Sequence, residues 1–189
     1  KLMAAVESNM LELGTPAPEF SLPDANGQQH SLAEDAAATV VMFICNHSPF
    51  VKHVRGEFPR LAADYQSRGV AIVAINSNDL DNYPQDGPAA MQRESEALGY
   101  TFPYLVDEDQ SVARAYQAAC TPDFYVFDGD LRLAYRGQLD DSRPSNGKPV
   151  TGRDIRAALD ALLAGEAVSD AQVPSIGCNI KWKPGNEPR

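Results

Sequence analysis

The chain has 189 residues, of which 43% are hydrophobic and 22% charged, a globular composition that can bury a sizeable core and excludes wholesale disorder. Its longest strongly apolar run, at 40–45, is far shorter than the roughly 20 residues of a bilayer-spanning helix, so we expect no membrane protein. Acidic residues outnumber basic ones 26 to 16, and a net charge of -10 repels phosphate backbones, which argues against nucleic-acid binding.

The cysteine content indicates a reducing environment. Three cysteines are too few for a disulfide scaffold, and their odd number leaves at least one thiol outside any internal disulfide. Residues 1–13 contain acids and lack the apolar segment of a signal peptide. We therefore expect a cytoplasmic protein. No glycine-rich dinucleotide or phosphate-binding motif follows a predicted strand, so we also expect no cofactor.

The first third of the chain predicts a hairpin, a strand and a helix. Residues 15–35 alternate on both sides of a turn rich in Asp, Asn and Gly, which is typical of a hairpin. Residues 39–45 are apolar and rich in β-branched side chains, as in a strand buried on both faces. In the helix that follows, Ser48 is the expected N-cap, Pro49 takes the first position, and Pro59 should kink or split it.

The remaining elements complete an α/β pattern. They are a strand at 70–75, a loop at 77–88, a helix at 89–98, a strand at 102–106, a short helix at 111–116, a hairpin at 124–135 and a helix beginning near 151. Early alternation of strands and helices predicts parallel strands with right-handed crossovers, and the second hairpin adds antiparallel ones. We therefore expect a mixed central sheet with helices on both faces.

The same pattern divides the chain into three parts. We expect an N-terminal extension at 1–14, one folded domain at 15–165 and a C-terminal extension at 166–189. The last part contains several Pro and Gly residues and only scattered apolar ones, so we expect an irregular segment that packs on the domain.

Cys45 is the first candidate for chemistry. It closes the first buried strand about three residues before a helix, where backbone N–H groups and the helix dipole favour a thiolate. Residues 46–60 hold three basic residues, Lys52 among them, against one acid, and His47 can add charge. Cysteine is also often an inert, buried hydrophobe, so position alone leaves both interpretations open. A Cys45–His47 pair supplies two of the four ligands of a closed metal site, so we predict no metal.

Four segments, in chain order, resemble the thioredoxin-like redoxins of the alkyl hydroperoxide reductase/thiol-specific antioxidant (AhpC/TSA) group, especially a peroxiredoxin-like bacterial branch. The segments are FICNHSPFVKH at 43–53, ACTPDFYVF at 119–127, YRGQLDDSRP at 135–144 and SIGCNIKWK at 175–183. The resemblance implies a thioredoxin fold with Cys45 as the attacking cysteine. It also implies that Pro122 is cis and lies beside Cys45, and that the backbone of Thr121 pairs with an extended substrate.

Two departures from the family pattern affect the expected chemistry. The branch usually reads Cys-Asn-His-Cys, but Ser48 stands at the fourth position here, and a serine cannot resolve a mixed disulfide. Either the protein works with one thiol, or Ser48 replaces an original cysteine. Peroxidases of the superfamily usually carry Pro and Thr at seven and three residues before the reactive cysteine, where this chain has Ala38 and Met42. Efficient peroxide reduction is therefore not the first expectation.

The leading hypothesis is a thiol–disulfide oxidoreductase in which Cys45 attacks a disulfide or a sulfenic acid and forms a mixed disulfide. The candidate catalytic residues are Cys45, Ser48 and Cys120, with Cys120 as a possible resolving thiol, and the role of Cys178 is open. The expected substrate-binding residues are His47, Pro49, Lys52, Thr121 and Pro122, of which His47 and Lys52 would favour the thiolate.

The expected partners are a protein or small-molecule thiol or disulfide substrate and an external thiol reductant, with neither nucleic acid nor membrane. Two alternatives stay open at this point. One is a thiol peroxidase that works through a sulfenate on Cys45. The other is a redox-silent interaction module that keeps the fold without the second thiol.

Overall fold

The structure of residues 5–188, a computed structural model, is built around a five-stranded sheet. The strands are β1 (Ala5–Glu7), β2 (Ser21–Pro23), β3 (Gln29–Ser31), β4 (Ala38–Phe43), β5 (Val70–Asn76), β6 (Tyr104–Val106), β7 (Cys120–Thr121), β8 (Asp123–Phe127), β9 (Leu133–Gly137) and β10 (Ile176–Asn179). The helices are α1 (Pro49–Val54), α2 (Glu57–Tyr65), α3 (Pro88–Leu98), α4 (Ser111–Tyr116) and α5 (Arg153–Leu163). Of the expected N-terminal extension, residues 1–4 lie outside the described part.

The central sheet has the strand order β6-β5-β4-β8-β9. Strand β4 pairs in parallel with β5, and β5 in parallel with β6, while β8 and β9 add antiparallel pairs. The predicted hairpin at 15–35 is confirmed as the pair β2–β3. The α/β class and the mixed sheet are therefore both confirmed.

Two apolar layers hold the sheet between its helices. Because successive strand residues point to opposite faces, β4 contributes Val40 and Met42 to one layer and Val41 and Phe43 to the other. The first layer packs against α1, α2, α3 and α5, and the second against α4 and the N-terminal hairpin. Helices on both faces are thus confirmed, in unequal numbers. None of the helices within residues 5–188 combines the length and apolar character needed to cross a bilayer.

The predicted effect of Pro59 is confirmed as a split between α1 and α2. A proline ring clashes with the carbonyl four residues earlier, which here belongs to Arg55, the C-terminal cap of α1. The Arg55 carbonyl instead accepts a 3.2 Å hydrogen bond from the N–H of Phe58. Pro59 lies in the first turn of α2, where a missing N–H costs nothing. The break therefore falls just before the proline, and α1 stays short.

The C-terminal extension packs on the domain, but the expectation that it is irregular is wrong. It contains β10, which lies between β1 and β7 in a three-stranded antiparallel sheet. In this register Cys178 is opposite Thr121, and Asn179 is opposite Cys120. Four strand residues with one turn-forming glycine gave too weak a sequence pattern to predict a strand.

Gly177 shows how closely β10 approaches β7. A Cβ atom added there would collide with the carbonyl oxygen of Thr121 and lie 3.1 Å from the nitrogen of Pro122. Only a residue without a side chain fits against this peptide bond. Gly177 therefore allows β10 to pack directly against the backbone of Thr121.

Gly177→Ala should destabilise the protein by about 1–3 kcal/mol, because the added methyl group meets backbone that cannot rotate away. Gly56→Ala is the matched control, since a Cβ there has open space and its φ of -64° is ordinary. That variant should change the free energy of unfolding by no more than about 0.5 kcal/mol. Urea denaturation of both variants measures the difference, and equal effects would contradict the close approach of β10.

Candidate active site

Cys45 lies where the chain leaves the central sheet. Strand β4 ends at Phe43, two residues earlier than predicted, although the N–H of Ile44 still bonds the carbonyl of Ile75 at 3.0 Å. Cys45 follows with 2% of its surface exposed, and its Sγ lies 3.5 Å from Oγ1 of Thr121. The Thr121–Pro122 peptide bond is cis, as predicted. The structure thus brings the expected nucleophile to the segment before the proline.

His47 supplies the charge nearest to Cys45. Its Nδ1 lies 2.5 Å from Oδ2 of Asp86. The Cys45 sulfur, a ring nitrogen of His47 and a carboxylate oxygen of Asp86 all lie within 4.8 Å of one another. The carboxylate of Asp86 and the sulfur of Cys45 raise the pKa of His47 to about 10, from an ordinary 6.5, although burial acts in the opposite direction. An imidazolium therefore stays beside the sulfur at neutral pH.

Asp86 is fully buried and held from several sides. Its Oδ1 accepts a 2.8 Å hydrogen bond from the N–H of Asn46, and its Oδ2 accepts one of 3.1 Å from Nδ2 of Asn78. The ring of Tyr83 stacks on His47 with centroids 5.6 Å apart and planes 10° from parallel. The loop at 77–88 thus fixes both the charge and the orientation of His47.

The basic residues expected around Cys45 are directed elsewhere. Arg55 pairs with Glu94 at 2.6 Å, and Arg60 pairs with Glu57 at 2.9 Å. Lys52 is exposed on α1, as is Pro49 at the start of the same helix. Arg55 and Arg60 are thus neutralised by carboxylates, the role of Lys52 stays a prediction, and His47 supplies the charge nearest to the sulfur.

Ser48 precedes α1 as predicted, but the expectation that its hydroxyl caps the helix is wrong. The side chain makes no capping hydrogen bond. Instead Oγ lies 3.2 Å from the carbonyl oxygen of Thr121 and 3.2 Å from Sγ of Cys178, two acceptors that share its single hydrogen. The hydroxyl is fully buried against β7 and β10, where its hydrogen finds acceptors. Ser48 therefore connects α1 to the Thr121 segment.

Cys120 lies close in sequence to Thr121, but its thiol is in a different setting. Burial, and then the carboxylate of Asp123, raise the pKa of Cys120 well above its ordinary value. Its Sγ donates to the carbonyl of Pro122 at 3.5 Å. Because side chains alternate along a strand, Cys120 points away from the face on which Thr121 meets Cys45. All three cysteines are thiols.

The cluster of Cys45, His47 and Asp86 raises the question of a metal ion. Zinc bonds of about 2.0–2.2 Å to nitrogen and oxygen hold two tetrahedral ligands more than 3 Å apart. The 2.5 Å separation between Nδ1 of His47 and Oδ2 of Asp86 is shorter than that and is the contact of an ion pair. The arrangement is therefore suited to stabilising negative charge on sulfur.

A cleft opens next to Pro122. It lies between α1, the loop at 139–144 and the beginning of β10, and it is lined by Phe50, Pro122, Arg143, Pro144 and Ile176 among others. His53 of α1 lies 2.7 Å from Oγ of Ser142, so it ties this loop to the helix. The cleft offers an apolar wall and one guanidinium beside the cis-proline.

Two residues of the site were not predicted from sequence. Asp86 is one of three aspartates in the loop at 77–88, and no spacing distinguishes it from Asp79 or Asp81. A usable signal was the parallel pairing of β4 and β5, because the ends of neighbouring parallel strands meet at one edge. Cys178 was noted without a role, since only the pairing of β10 reveals where it lies.

Comparison with known proteins finds a family and several relatives. Residues 13–136 match the AhpC/TSA family. The thiol-disulfide oxidoreductase ResA of Geobacillus thermodenitrificans is 28% identical over 161 residues, which cover 82% of this chain and 81% of that protein. A Mycobacterium tuberculosis protein with a peroxiredoxin name is 29% identical over 114 residues, 59% of this chain and 68% of that protein.

Solved structures show the same fold. An uncharacterised conserved protein of Geobacillus kaustophilus superposes with a TM-score of 0.96 at 62% identity, covering 98% of this chain and 100% of that chain. Solved thioredoxin-fold oxidoreductases superpose with TM-scores of 0.58 and 0.62 at 14% and 18% identity, a likeness that shows the fold alone. The predicted thioredoxin fold is therefore confirmed.

His47 should remain protonated until about pH 10, which NMR titration of its ring nitrogens measures directly. Asp86→Asn should move that midpoint towards 6.5, whereas Asp81→Asn, at an exposed acid in the same loop, should leave it in place. Because the pKa is higher in the folded state, the stabilisation is complete below about pH 6.5 and is lost as the pH rises through about 10. A midpoint near 6.5 in the wild type would contradict the ion pair.

Proposed function

The chain belongs to the AhpC/TSA family, and on that premise we propose that it is a thiol–disulfide oxidoreductase whose nucleophile is Cys45. The observation that carries this proposal is the imidazolium of His47, held by buried Asp86, within 4.8 Å of the Cys45 sulfur. A fixed positive charge favours the thiolate, which is the reactive form in disulfide exchange. The hydroxyl of Thr121 adds a polar contact at 3.5 Å.

The proposed reaction begins with attack of the Cys45 thiolate on one sulfur of a substrate disulfide. The substrate S–S bond breaks, a mixed disulfide forms on Cys45, and the other half leaves as a thiolate that takes a proton from water. Thiols from an external reductant supply the two electrons that regenerate Cys45. His47, with a pKa of about 10, keeps its proton and acts as a charge throughout.

The proposed substrate-binding residues surround that sulfur unequally. Thr121 lies 3.5 Å from the Cys45 sulfur, and together with Pro122 it would position the group that carries the attacked sulfur. Pro49 and Lys52 are exposed on α1 and would meet only the outer part of a substrate. A protein or small-molecule disulfide and an external thiol remain the proposed partners, and the cytoplasmic location stays a prediction.

A thiol peroxidase is the second candidate, and the burial of Cys45 favours it. With 2% of its surface exposed, Cys45 is more accessible to hydrogen peroxide than to a bulky disulfide. Against this, Met42 is fully buried where peroxidases of the superfamily carry a threonine, so the peroxide-binding hydroxyl is absent there. Thr121 instead supplies a hydroxyl 3.5 Å from the sulfur.

Cys45→Ser should reduce the rate of oxidised-glutathione reduction, with dithiothreitol as the reductant, to the uncatalysed rate. Cys120→Ser is the matched control, because it removes a buried thiol on the other face of β7, and should retain the wild-type rate. Circular dichroism and thermal melting check that both variants fold. Equal activity in wild type and Cys45→Ser would contradict the proposed nucleophile and would favour a redox-silent module.

The same two variants distinguish a peroxidase from a thiol–disulfide oxidoreductase. Stoichiometric hydrogen peroxide should add oxygen to Cys45, or produce a disulfide there, in wild type and Cys120→Ser and not in Cys45→Ser. If peroxide consumption with dithiothreitol is faster than reduction of oxidised glutathione at equal concentration, the peroxidase becomes the principal activity. Slower consumption supports the oxidoreductase.

A further inference from the structure

Strand β10 brings a second thiol to the Cys45 side of the site. In the antiparallel pair with β7, Cys178 stands directly opposite Thr121. Residues directly opposite each other in such a pair point to the same face of the sheet. Thr121 turns its hydroxyl towards Cys45, so Cys178 also points towards that side, whereas Cys120 and Asn179 point away.

The contact with Ser48 gives the same placement independently. Residue 48 is three positions after Cys45, and its Oγ lies 3.2 Å from Sγ of Cys178. The Cys178 thiol is therefore in direct contact with the side chain of residue 48, the position where the family usually carries its second cysteine.

The strand is held firmly enough to keep the thiol there. Gly177 lies against the Thr121–Pro122 peptide bond, and β1 covers the other edge of β10, with Ala5 opposite Cys178. Cys178 itself is 2% exposed. The backbone of Thr121 is thus already paired with β10, at the position of Cys178.

We propose that Cys178 is the resolving thiol of this protein, a role that Ser48 cannot fill; the inference rests on the proposed function of Cys45. The Cys178 thiolate, after losing its proton to solvent, attacks the Cys45 sulfur of the mixed disulfide. A Cys45–Cys178 bond forms as the bond between Cys45 and the substrate breaks, and the substrate's second half leaves as a thiolate. Two external thiols then reduce the Cys45–Cys178 disulfide and become a disulfide themselves.

The test is to treat the reduced full-length protein at pH 7 with a small excess of oxidised glutathione, block remaining thiols and map peptides without reduction. Trypsin separates the three cysteines, because cleavage after Lys52, Arg114, Arg132, Arg156 and Lys181 places each in its own peptide. Wild type and the control Cys120→Ser should give a Cys45–Cys178 cross-link without bound glutathione. Cys178→Ser should retain glutathione on Cys45.

The lifetime of the glutathione adduct provides a second readout. With about 0.1 mM external thiol, an intramolecular thiol at millimolar effective concentration should shorten that lifetime by roughly tenfold or more relative to Cys178→Ser. A stable glutathione adduct on Cys45 of the wild type, or a Cys45–Cys120 cross-link, would overturn the role of Cys178 and leave the nucleophile standing. A wild-type Cys45 that does not react would overturn the proposed function together with this inference.

Discussion

The contact of Thr121 with three other parts of the chain is the constraint on which the site depends. Its side chain meets Cys45, its carbonyl oxygen lies within hydrogen-bonding distance of Ser48, and its strand pairs with the strand of Cys178. These groups come from the end of β4, the start of α1 and the C-terminal extension. Residues separated by more than a hundred positions are therefore assembled around one backbone segment.

Electrostatics adds a second constraint from a fourth segment. The loop after β5 supplies Asp86, which is buried, accepts two hydrogen bonds and pairs with His47. In a chain with a net charge of -10, this arrangement places a positive group beside the sulfur without a surplus of basic residues. The charge is local, so it acts on the thiol and has little effect on the acidic surface.

The sequence was most informative where local patterns and tertiary structure agree. The continuous apolar run before Cys45 and the Pro49 helix start require only neighbours along the chain, and the structure has both of them. The resemblance correctly implied the cis bond at Pro122 and its position near Cys45. Local propensity and family motif thus predicted the frame of the site.

The parts that could not be predicted depend on contacts distant in sequence. Strand β10 is four residues long and exists because it pairs with β1 and β7. The hydroxyl of Ser48 could cap a helix, and the sequence does not show that β7 and β10 bury it and supply its hydrogen-bond acceptors instead. Asp86 differs from Asp79 and Asp81 in its position beside His47, which depends on the path of the loop. Each requires the tertiary structure to be known.

The most direct test of the account is competition between the three cysteines for a limiting amount of iodoacetamide in the native protein at pH 7, measured by peptide mapping. All three side chains are almost fully buried, so exposure alone does not favour any of them. The account predicts that Cys45 is alkylated first and that His47→Gln slows this reaction while leaving Cys120 unchanged. Faster alkylation of Cys120 or Cys178, or a Cys45 rate that is indifferent to His47, would contradict it.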